Sequence, residues 1–302
     1  MLMGYRNLII ANAKRLSVKD CQLLIDDVSV PVEDINSLLI ENQNAMFSAY
    51  VLQYLADQGV AVYVCDSKHL PNAVLLPLIA HSRHLKMLKY QIEISKVLQK
   101  RIWQKIVVAK LENQSRCLGL IDDAAGAKHI KVMQKSVLSG DSKNIEAQAA
   151  AYYFKRIYGK QFVRSCENIT NAMLNYGYSI VRGMISRSIV CHGYEPSLGI
   201  FHKSELNGFN LADDFIEPFR PLVDLAVYQL IQTADEEQQE LTPDIKQELF
   251  RLVNYDMEVG NQKHIVSNAI EMFVESYSRS LRENAESITP PILIALKEHS
   301  YE

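Results

Sequence analysis

Residues 1–80 combine short apolar runs with polar turns, a pattern that is typical of β-strands. The strongest strand candidates are residues 7–10, 37–40 and 60–65, which are rich in Ile, Leu and Val. Residues 45–57 instead carry apolar side chains at helical spacing. We therefore expect residues 1–80 to form a small β-rich domain that contains one helix.

From about residue 82 onward, apolar side chains recur three and four positions apart, as they do on one face of an α-helix. Residues 86–113 show this pattern through Met87, Tyr90, Ile94, Leu98, Ile102 and Ile106. Residues 71–81 lie between the two patterns and are predicted to be a linker. The predicted fold class is α+β, with a small β-rich domain at residues 1–80 followed by a larger, all-α helical domain at residues 81–302.

The composition is that of a globular protein, because 302 residues with 48% hydrophobic content can bury a sizeable core. No run approaches the roughly 18 unbroken apolar residues that cross a bilayer, and the N-terminus lacks a secretory signal pattern. The five cysteines are scattered and never spaced as CxxC, so we expect reduced thiols rather than disulfides or zinc ligands. These features predict a cytoplasmic location with no membrane contact.

The net charge of −3 hides an uneven distribution of charge along the chain. Residues 83–116 and 128–164 are predominantly basic, whereas residues 235–258 are predominantly acidic. A basic surface on one side could bind a polyanion despite the net negative charge. The same runs are also expected of ordinary solvated helix faces, and the sequence leaves both interpretations open.

Several common catalytic motifs are missing from the sequence. It contains no GxxxxGK[ST] phosphate loop, no GxGxxG turn, no HExxH zinc motif and no GxSxG nucleophile elbow. None of the cysteines lies in a local protease signature. These absences argue against phosphate-loop enzymes, the common zinc proteases and catalysis by a protein nucleophile.

One stretch of the helical region gathers several potential metal ligands. His202 supplies an imidazole, and the carboxylates of Asp214 and Glu217 follow it closely. Magnesium and manganese prefer oxygen ligands, and a single imidazole tilts the choice toward manganese or a manganese-tolerant magnesium site. Asp214 and Glu217 would share a helix face, and Pro218 should break that helix beside Glu217. The alternative is structural: Asp214 would complement a helix N-terminus, Glu217 would pair with Arg220, and His202 would pack at the edge of a core.

A third ligand should come from elsewhere in the helical region, and Glu146 is the candidate because small residues follow it for a full turn. We expect Ser142 or Asn144 to cap this helix and the helix dipole to favour an ionised Glu146. Glu146 could equally be an ordinary glutamate in the first turn of a helix. Two more asparagines are expected at helix starts, Asn210 as a cap and Asn171 as a cap or as a residue that faces the site.

In combination, these motifs resemble the CRISPR-associated integrase, the larger of the two universal spacer-adaptation proteins, and its type II branch in particular. Several separate motifs in the same order are far more specific than any one of them, and together they cover nearly the whole chain. The residues that carry the resemblance are Glu146, Ala150, Tyr153, Phe154, residues 171–178, Pro196, Leu198, Gly199, His202, residues 214–221 and, near the N-terminus, Asp34, Ile35, Leu70 and Pro71.

The resemblance implies a β-rich dimerisation domain and a helical catalytic domain with one metal site for Mg²⁺ or Mn²⁺. It implies Glu146, His202 and Glu217 as the metal ligands and catalytic residues. Asp214 and Arg220 are expected to brace these ligands without binding the metal.

One position departs from the family pattern. Ala151 stands where the family often has an arginine, so a nearby basic residue, Lys155 or Arg156, would have to substitute for it. Together with Lys96 and Lys100 of the first basic run, these two residues are the predicted DNA contacts. Such contacts would hold phosphates without reading bases.

The resemblance also implies an activity and partners. The 3′-hydroxyl of a captured DNA fragment would attack a phosphodiester at the edge of a CRISPR repeat, and water in its place would nick DNA. The implied partners are double-stranded DNA, a second copy of the chain, a smaller adaptation protein that completes a heterohexamer-like complex and, in type II systems, the effector nuclease. Two alternatives stay open: a dimeric DNA-binding scaffold without catalysis and a metallophosphohydrolase of small nucleotides.

Overall fold

The computed structural model describes residues 6–67, 71–75, 81–233 and 240–299. Its N-terminal part is rich in strands, and the larger remainder is mostly helical. The N-terminal elements are β1 (Arg6–Ile10), β2 (Arg15–Lys19), β3 (Gln22–Ile25), β4 (Val28–Pro31), β5 (Ile35–Ile40), β6 (Met46–Phe47), α1 (Ala49–Asp57), β7 (Ala61–Cys65) and β8 (Pro71–Leu75).

These strands form two sheets. The first has the order β1-β5-β7-β8, in which β1, β5 and β7 are parallel and β8 is antiparallel to β7. The second has the order β4-β3-β2-β6. β5 is an inner strand of the first sheet and is buried along its whole length, as expected for a parallel strand that is covered on both faces.

The predicted strands of this part are confirmed by β1, β5 and β7. The helix predicted over residues 45–57 is confirmed from Ala49 onward by α1, whereas its predicted start is wrong, because Met46–Phe47 pairs with β2 as β6. The predicted linker at residues 71–81 is wrong at its start, because Pro71–Leu75 pairs with β7 as β8. Residues 76–80 of that linker lie outside the described residues. The β2–β4 meander is missing from the prediction, because its tight turns place Asp20, Cys21 and Asp26 at positive φ instead of the glycine that usually marks a hairpin.

The remainder of the chain contributes helices and a small sheet. Strands β9, β10 and β11 are antiparallel in the order β10-β9-β11, so the prediction of an all-α domain is corrected to a mostly helical one. None of the helices in the described ranges is long and apolar enough to cross a membrane. The elements are α2 (His84–Ile92), α3 (Lys96–Leu120), α4 (Ala124–Gln134), α5 (Ile145–Ile157), α6 (Ile169–Cys191), α7 (Asn210–Phe215), α8 (Arg220–Thr233), α9 (Pro243–Arg251), β9 (Tyr255–Val259), β10 (Gln262–Ile265), α10 (Val266–Glu283) and β11 (Ile292–Glu298).

The long helical pattern of residues 86–113 is divided between two helices. α2 ends at Ile92, and Ser95 caps α3 by accepting a 3.2 Å hydrogen bond from the backbone N–H of Leu98. Beyond this break, α3 runs unbroken to Leu120 and packs against α5, α7 and α8. It is therefore the helix on which the predicted site residues converge.

The N-terminal sheet packs directly on α6. Tyr63 of β7 fills the space beside Gly183, where a Cβ atom would overlap its ring. The hydroxyl of Tyr63 donates to the carbonyl of Ile180 at 3.3 Å, and Leu39 of β5 belongs to the same hydrophobic core as the helices. Because the sheet and the helices share this core, the boundary between domains at residues 1–80 and 81–302 stays a prediction.

Candidate metal centre

Glu146 lies in the first turn of α5, as expected, but the cap of that helix differs from the prediction. Asn144 has a left-handed backbone conformation, with φ of 52°, and its side chain makes no capping hydrogen bond. The Asp141 carboxylate instead accepts hydrogen bonds from the backbone N–H groups of Ile145 and Glu146, both at 2.9 Å. The predicted caps Ser142 and Asn144 are therefore wrong, and Asp141 fixes the start of α5.

Glu217 lies between two helices. A 3₁₀ turn covers Glu217–Phe219 after the end of α7, and α8 begins at Arg220. Pro218 has no N–H for the helical hydrogen-bond ladder, so the predicted break beside Glu217 is confirmed. The side-chain amide of Asn113 in α3 donates to the carbonyl of Pro218 at 2.7 Å and holds the turn in place.

Glu146 and Glu217 meet at Lys110, which belongs to the basic run of residues 83–116. The ammonium group of Lys110, in α3, contacts a carboxylate oxygen of each residue. Nε of Arg220 donates to the other oxygen of Glu217 at 2.8 Å, which is the ion pair that the structural alternative predicted. We call Glu146 and Glu217 the acidic pair; their side chains are 25% and 7% exposed, and that of Lys110 is 7% exposed.

The cationic neighbours keep the buried member of the acidic pair ionised. Burial favours the neutral acid, but the charges of Arg220 and Lys110 outweigh it and lower the pKa of Glu217 to about 2. Burial alone would likewise lower the pKa of Lys110, and the charges of Glu217 and Glu146 reverse this and raise it. A carboxylate must be deprotonated to bind a metal, so Glu217 is in the form that binds a cation.

His202 lies in residues 192–209, between α6 and α7, which we call the histidine loop. The buried carboxylate of Asp214 accepts hydrogen bonds from the backbone N–H groups of Ile200 at 2.6 Å, Phe201 at 3.0 Å and His202 at 3.1 Å. The same carboxylate lies 2.7 Å from Nδ1 of His202. A histidine that binds a metal through Nε2 commonly gives its Nδ1–H to a carboxylate, which fixes the tautomer and the orientation of the ring.

Asp214 and His202 shift each other's protonation. Burial raises the pKa of Asp214, although hydrogen bonds from His202 and Phe201 oppose it. The hydrogen bond to Asp214 raises the pKa of His202, and burial opposes that shift. In the neutral imidazole, which is the form that binds a metal, this pair keeps the proton on Nδ1 and the lone pair on Nε2.

Two residues give the histidine loop its shape. A Cβ atom at Gly199 would overlap the loop backbone and lie 3.0 Å from Oδ2 of Asp214, so only glycine fits there. Asn210 lies inside α7 rather than before it, and its side-chain amide donates to the carbonyls of Ser197 at 3.0 Å and Ser204 at 2.9 Å. The predicted cap at Asn210 is therefore wrong, because this residue cross-links the loop instead.

Asn171 is neither a helix cap nor a contact of the acidic pair. Asn168 caps α6 by accepting a 2.8 Å hydrogen bond from the backbone N–H of Asn171. The side-chain amide of Asn171 donates to the carbonyls of Val163 at 2.9 Å and Cys166 at 2.8 Å. Both roles proposed for Asn171 from the sequence are corrected: it closes the loop before α6.

The described residues do not hold the three predicted ligands in one metal cage. Among them, no group of three or more His, Cys, Asp and Glu side chains is arranged to hold a metal ion. The acidic pair meets at Lys110, and His202 meets Asp214, which precedes Glu217 by three residues. The donors nevertheless suit Mg²⁺ or Mn²⁺, because carboxylate oxygens together with a single imidazole are ligands that these ions accept.

The predicted DNA contacts of α3 lie on the same side of the helix as Lys110. Lys96 and Lys100 are exposed, and helical spacing places them on the same face as Trp103 and Lys110. The ring of Trp103 stacks on that of Phe201 in the histidine loop, with 4.3 Å between the ring centroids. Trp103 and Lys110 are buried, whereas Lys96 and Lys100 present exposed positive charge toward the N-terminal end of the same face.

The predicted DNA contacts of α5 differ from each other. Lys155 is exposed, whereas Nε of Arg156 donates to Asp123 at 2.7 Å and the rest of its guanidinium contacts the other oxygen of the same carboxylate. Asp123 also caps α4, so Arg156 braces α5 against the start of α4. The substitution of Lys155 or Arg156 for the arginine that is absent at Ala151 stays a prediction.

Known proteins resemble the chain over nearly its whole length. A family profile described as "CRISPR associated protein Cas1" matches residues 7–249. The chain is 40% identical over 305 residues to the CRISPR-associated endonuclease Cas1 of Neisseria meningitidis serogroup C (strain 8013). The alignment covers 99% of this chain and 100% of that protein.

Two solved structures share the fold. A casposase bound to its integration product has a TM-score of 0.74 at 19% identity, over 94% of this chain and 92% of that chain. A Cas6-RT-Cas1–Cas2 complex has a TM-score of 0.72 at 15% identity, over 98% of this chain and 37% of that chain. The profile and the full-length relative together show that the chain belongs to the Cas1 family of CRISPR-associated proteins.

Proposed function

We propose that this chain is the integrase of CRISPR adaptation, a DNA endonuclease and transesterase that inserts fragments of foreign DNA into a CRISPR repeat array. The observation that carries this proposal is the meeting of Glu146 and Glu217 on one buried cation, beside the Asp214–His202 pair. The Neisseria relative is named an endonuclease, and the casposase is bound to an integration product, so both names support this chemistry.

The acidic pair and Nε2 of His202 would hold one Mg²⁺ or Mn²⁺ ion. When bound, such an ion polarises the phosphoryl oxygen and stabilises the negative charge that develops during attack. Asp214 accepts from His202 and keeps the tautomer that presents Nε2. Arg220 orients Glu217 and, with Lys110, keeps it ionised.

The reaction exchanges one phosphodiester bond for another. The 3′ oxygen of the incoming fragment bonds to a phosphorus atom at the repeat boundary, and its proton passes to solvent. The bond from that phosphorus to the 3′ oxygen of the neighbouring nucleotide breaks, and the departing oxygen takes up a proton. No protein nucleophile takes part, and with water as the attacker the same exchange nicks DNA.

DNA backbone contacts and partner proteins complete the proposal. Lys96, Lys100 and Lys155 would hold phosphates of double-stranded DNA without reading bases. The name of one fold neighbour includes Cas2, which supports a Cas2-type protein as the smaller partner of a homodimer in a heterohexamer-like assembly. A type II effector nuclease and a cytoplasmic location stay predictions from the resemblance and the composition.

The experiment that tests this function is strand transfer of a labelled duplex into a plasmid with a repeat array, in the presence of Mn²⁺ and the smaller partner. We expect joined product with the wild-type chain, and none with Glu146→Ala or after chelation of the metal. Glu248→Ala is the matched control, because Glu248 is a partly exposed glutamate that pairs with Arg251 in α9, and it should join DNA like the wild type.

Two other outcomes would replace the integrase. DNA binding that needs no metal and leads to neither joining nor nicking would favour the scaffold. Turnover of a mononucleotide or a model phosphodiester without DNA would favour the phosphohydrolase. The basic face of α3 argues against the phosphohydrolase, since a small substrate needs no extended phosphate contacts.

A further inference from the structure

The cation at the centre of the acidic pair is supplied by the chain itself. Lys110 lies in α3, and its ammonium group contacts Glu146 of α5 and Glu217 of the 3₁₀ turn before α8. The side chain of Lys110 is 7% exposed, so this positive charge is buried. Carboxylates from two separate elements therefore converge on one ammonium group of a third.

A metal ion that bound between the two oxygens in contact with Lys110 would take the place of its ammonium group. Oε1 of Glu146 and Oε2 of Glu217 face the ammonium, while Oε1 of Glu217 accepts from Arg220 at 2.8 Å. An ammonium group and a divalent ion cannot share the space between the same two oxygens, because like charges repel strongly where water is excluded. The flexible four-carbon stem of a lysine allows its charge to move away.

We propose that Lys110 is a displaceable internal cation, which holds the acidic pair together in the metal-free protein and leaves the space between the two carboxylates when Mg²⁺ or Mn²⁺ binds. This inference rests on the proposed function, because it takes the acidic pair to be metal ligands. It explains why the two carboxylates converge although the described residues form no metal cage. It also means that the metal binds more weakly than it would to the two carboxylates without the competing ammonium.

A second buried lysine provides a matched control. Lys246 of α9 donates to Glu41, which follows β5, at 2.8 Å, and the two side chains are 7% and 8% exposed. This pair joins α9 to the N-terminal sheet and includes none of the proposed metal ligands. Loss of either ammonium group leaves buried carboxylate charge without that cation and destabilises the fold, but only the loss at Lys110 should change metal binding.

The first experiment compares the wild-type chain with Lys110→Met and Lys246→Met. Mn²⁺ affinity is measured by electron paramagnetic resonance of the free ion, and thermal unfolding is followed with and without Mn²⁺. We expect Lys110→Met to bind Mn²⁺ about tenfold more tightly, because a competing charge is gone. Without metal, Lys110→Met should unfold at a lower temperature than the wild type. Its unfolding temperature should rise again when Mn²⁺ is added.

Lys246→Met should also unfold at a lower temperature, but its Mn²⁺ affinity should equal that of the wild type. Mn²⁺ binding by Lys110→Met that is equal to or weaker than wild-type binding overturns the proposal.

A second experiment needs no variant and so does not depend on Lys110→Met folding. Lysines of the wild-type chain are labelled with acetic anhydride with and without Mg²⁺, and the modified positions are quantified by mass spectrometry. Lys110 should be labelled several-fold faster when Mg²⁺ is bound, whereas the labelling of Lys246 should not change.

The labelling result separates this inference from the function on which it rests. Unchanged protection of Lys110 in a chain that binds Mg²⁺ and joins DNA overturns the inference and leaves the proposed function standing. A wild-type chain that binds neither ion and joins no DNA overturns both.

Discussion

Glu217 and Asp214 are buried carboxylates three residues apart, and their surroundings act on them in opposite directions. Around Glu217, the cations Arg220 and Lys110 overcome the effect of burial and lower its pKa to about 2. Around Asp214, burial wins over hydrogen bonds from backbone N–H groups and one imidazole, and its pKa is raised. The difference separates two tasks: Glu217 presents an ionised oxygen to a cation, whereas Asp214 shapes the histidine loop and orients its imidazole.

The largest effect in this comparison is expected for Glu217→Gln. The amide keeps the shape of the side chain but removes the negative charge that a divalent ion requires, so strand transfer should fall on the order of 10³-fold. The measurement is the yield of joined product with Mn²⁺, with circular dichroism to confirm that the variant is folded. Joining at the wild-type rate would remove Glu217 from the proposed ligand set.

Glu217 and Asp214 should also affect the pH dependence of stability in opposite directions. The pKa of Glu217 is about 2 in the fold against an ordinary value of 4.5, so its stabilising contribution is complete above 4.5 and is lost as the pH falls toward 2. The contribution is at most about 3 kcal/mol of unfolding free energy. The stability difference between the wild type and Glu217→Gln, measured by urea unfolding from pH 6 to pH 3, should therefore shrink with acid.

Asp214 should show the reverse behaviour. Its pKa is raised, so the stability that it contributes is present below its ordinary value of 3.8 and is lost as the pH rises through the value in the fold. The difference in unfolding free energy between the wild type and Asp214→Asn should thus be larger in acid than at neutral pH. If the loss of unfolding free energy changed with pH in the same direction for Glu217→Gln and Asp214→Asn, the opposite effects inferred for the two carboxylates would be contradicted.

A smaller loss of activity is expected for Asp214→Asn than for Glu217→Gln. The amide nitrogen of asparagine replaces one of the two carboxylate oxygens, so either the hydrogen bonds from Ile200 and Phe201 to Oδ2 or those from His202 to Oδ1 are lost. Loss of such support for a metal ligand typically costs about 10-fold to 100-fold in metal affinity or activity. The Mn²⁺ affinity, measured by titration, and the yield of strand transfer should therefore fall together. Wild-type values of both would limit Asp214 to a packing role.

The sequence predicts local features of the centre better than it predicts the contact that joins the acidic pair. The break at Pro218 follows from the missing N–H of proline, and the resemblance supplies Glu146, His202 and Glu217. Lys110 is 36 residues from Glu146 along the chain, so no local pattern could show that its ammonium group lies between the two glutamates.

Local rules also fail where the backbone is unusual. Asp141 caps α5 from four and five residues away, because Asn144 takes a left-handed conformation and turns its side chain out of the usual capping position. By contrast, the turn between β9 and β10 was within reach of the sequence. Gly260 and Asn261 are both at positive φ, and such a pair between alternating side chains is a strong hairpin signal.

The smallest expected effect is on DNA binding by surface lysines, and here the comparison is between two faces of α3. Lys96 and Lys100 share the face of Lys110, whereas helical spacing places exposed Lys105 on the opposite side. Lys96→Glu or Lys100→Glu should weaken DNA binding at every sequence and reduce the slope of log affinity against log salt by about 1, while Lys105→Glu should leave both unchanged. The measurement is fluorescence anisotropy of a labelled duplex over a salt series. An equal change in all three variants would mean that the DNA responds to the overall charge of the protein and not to the face that carries Lys96 and Lys100.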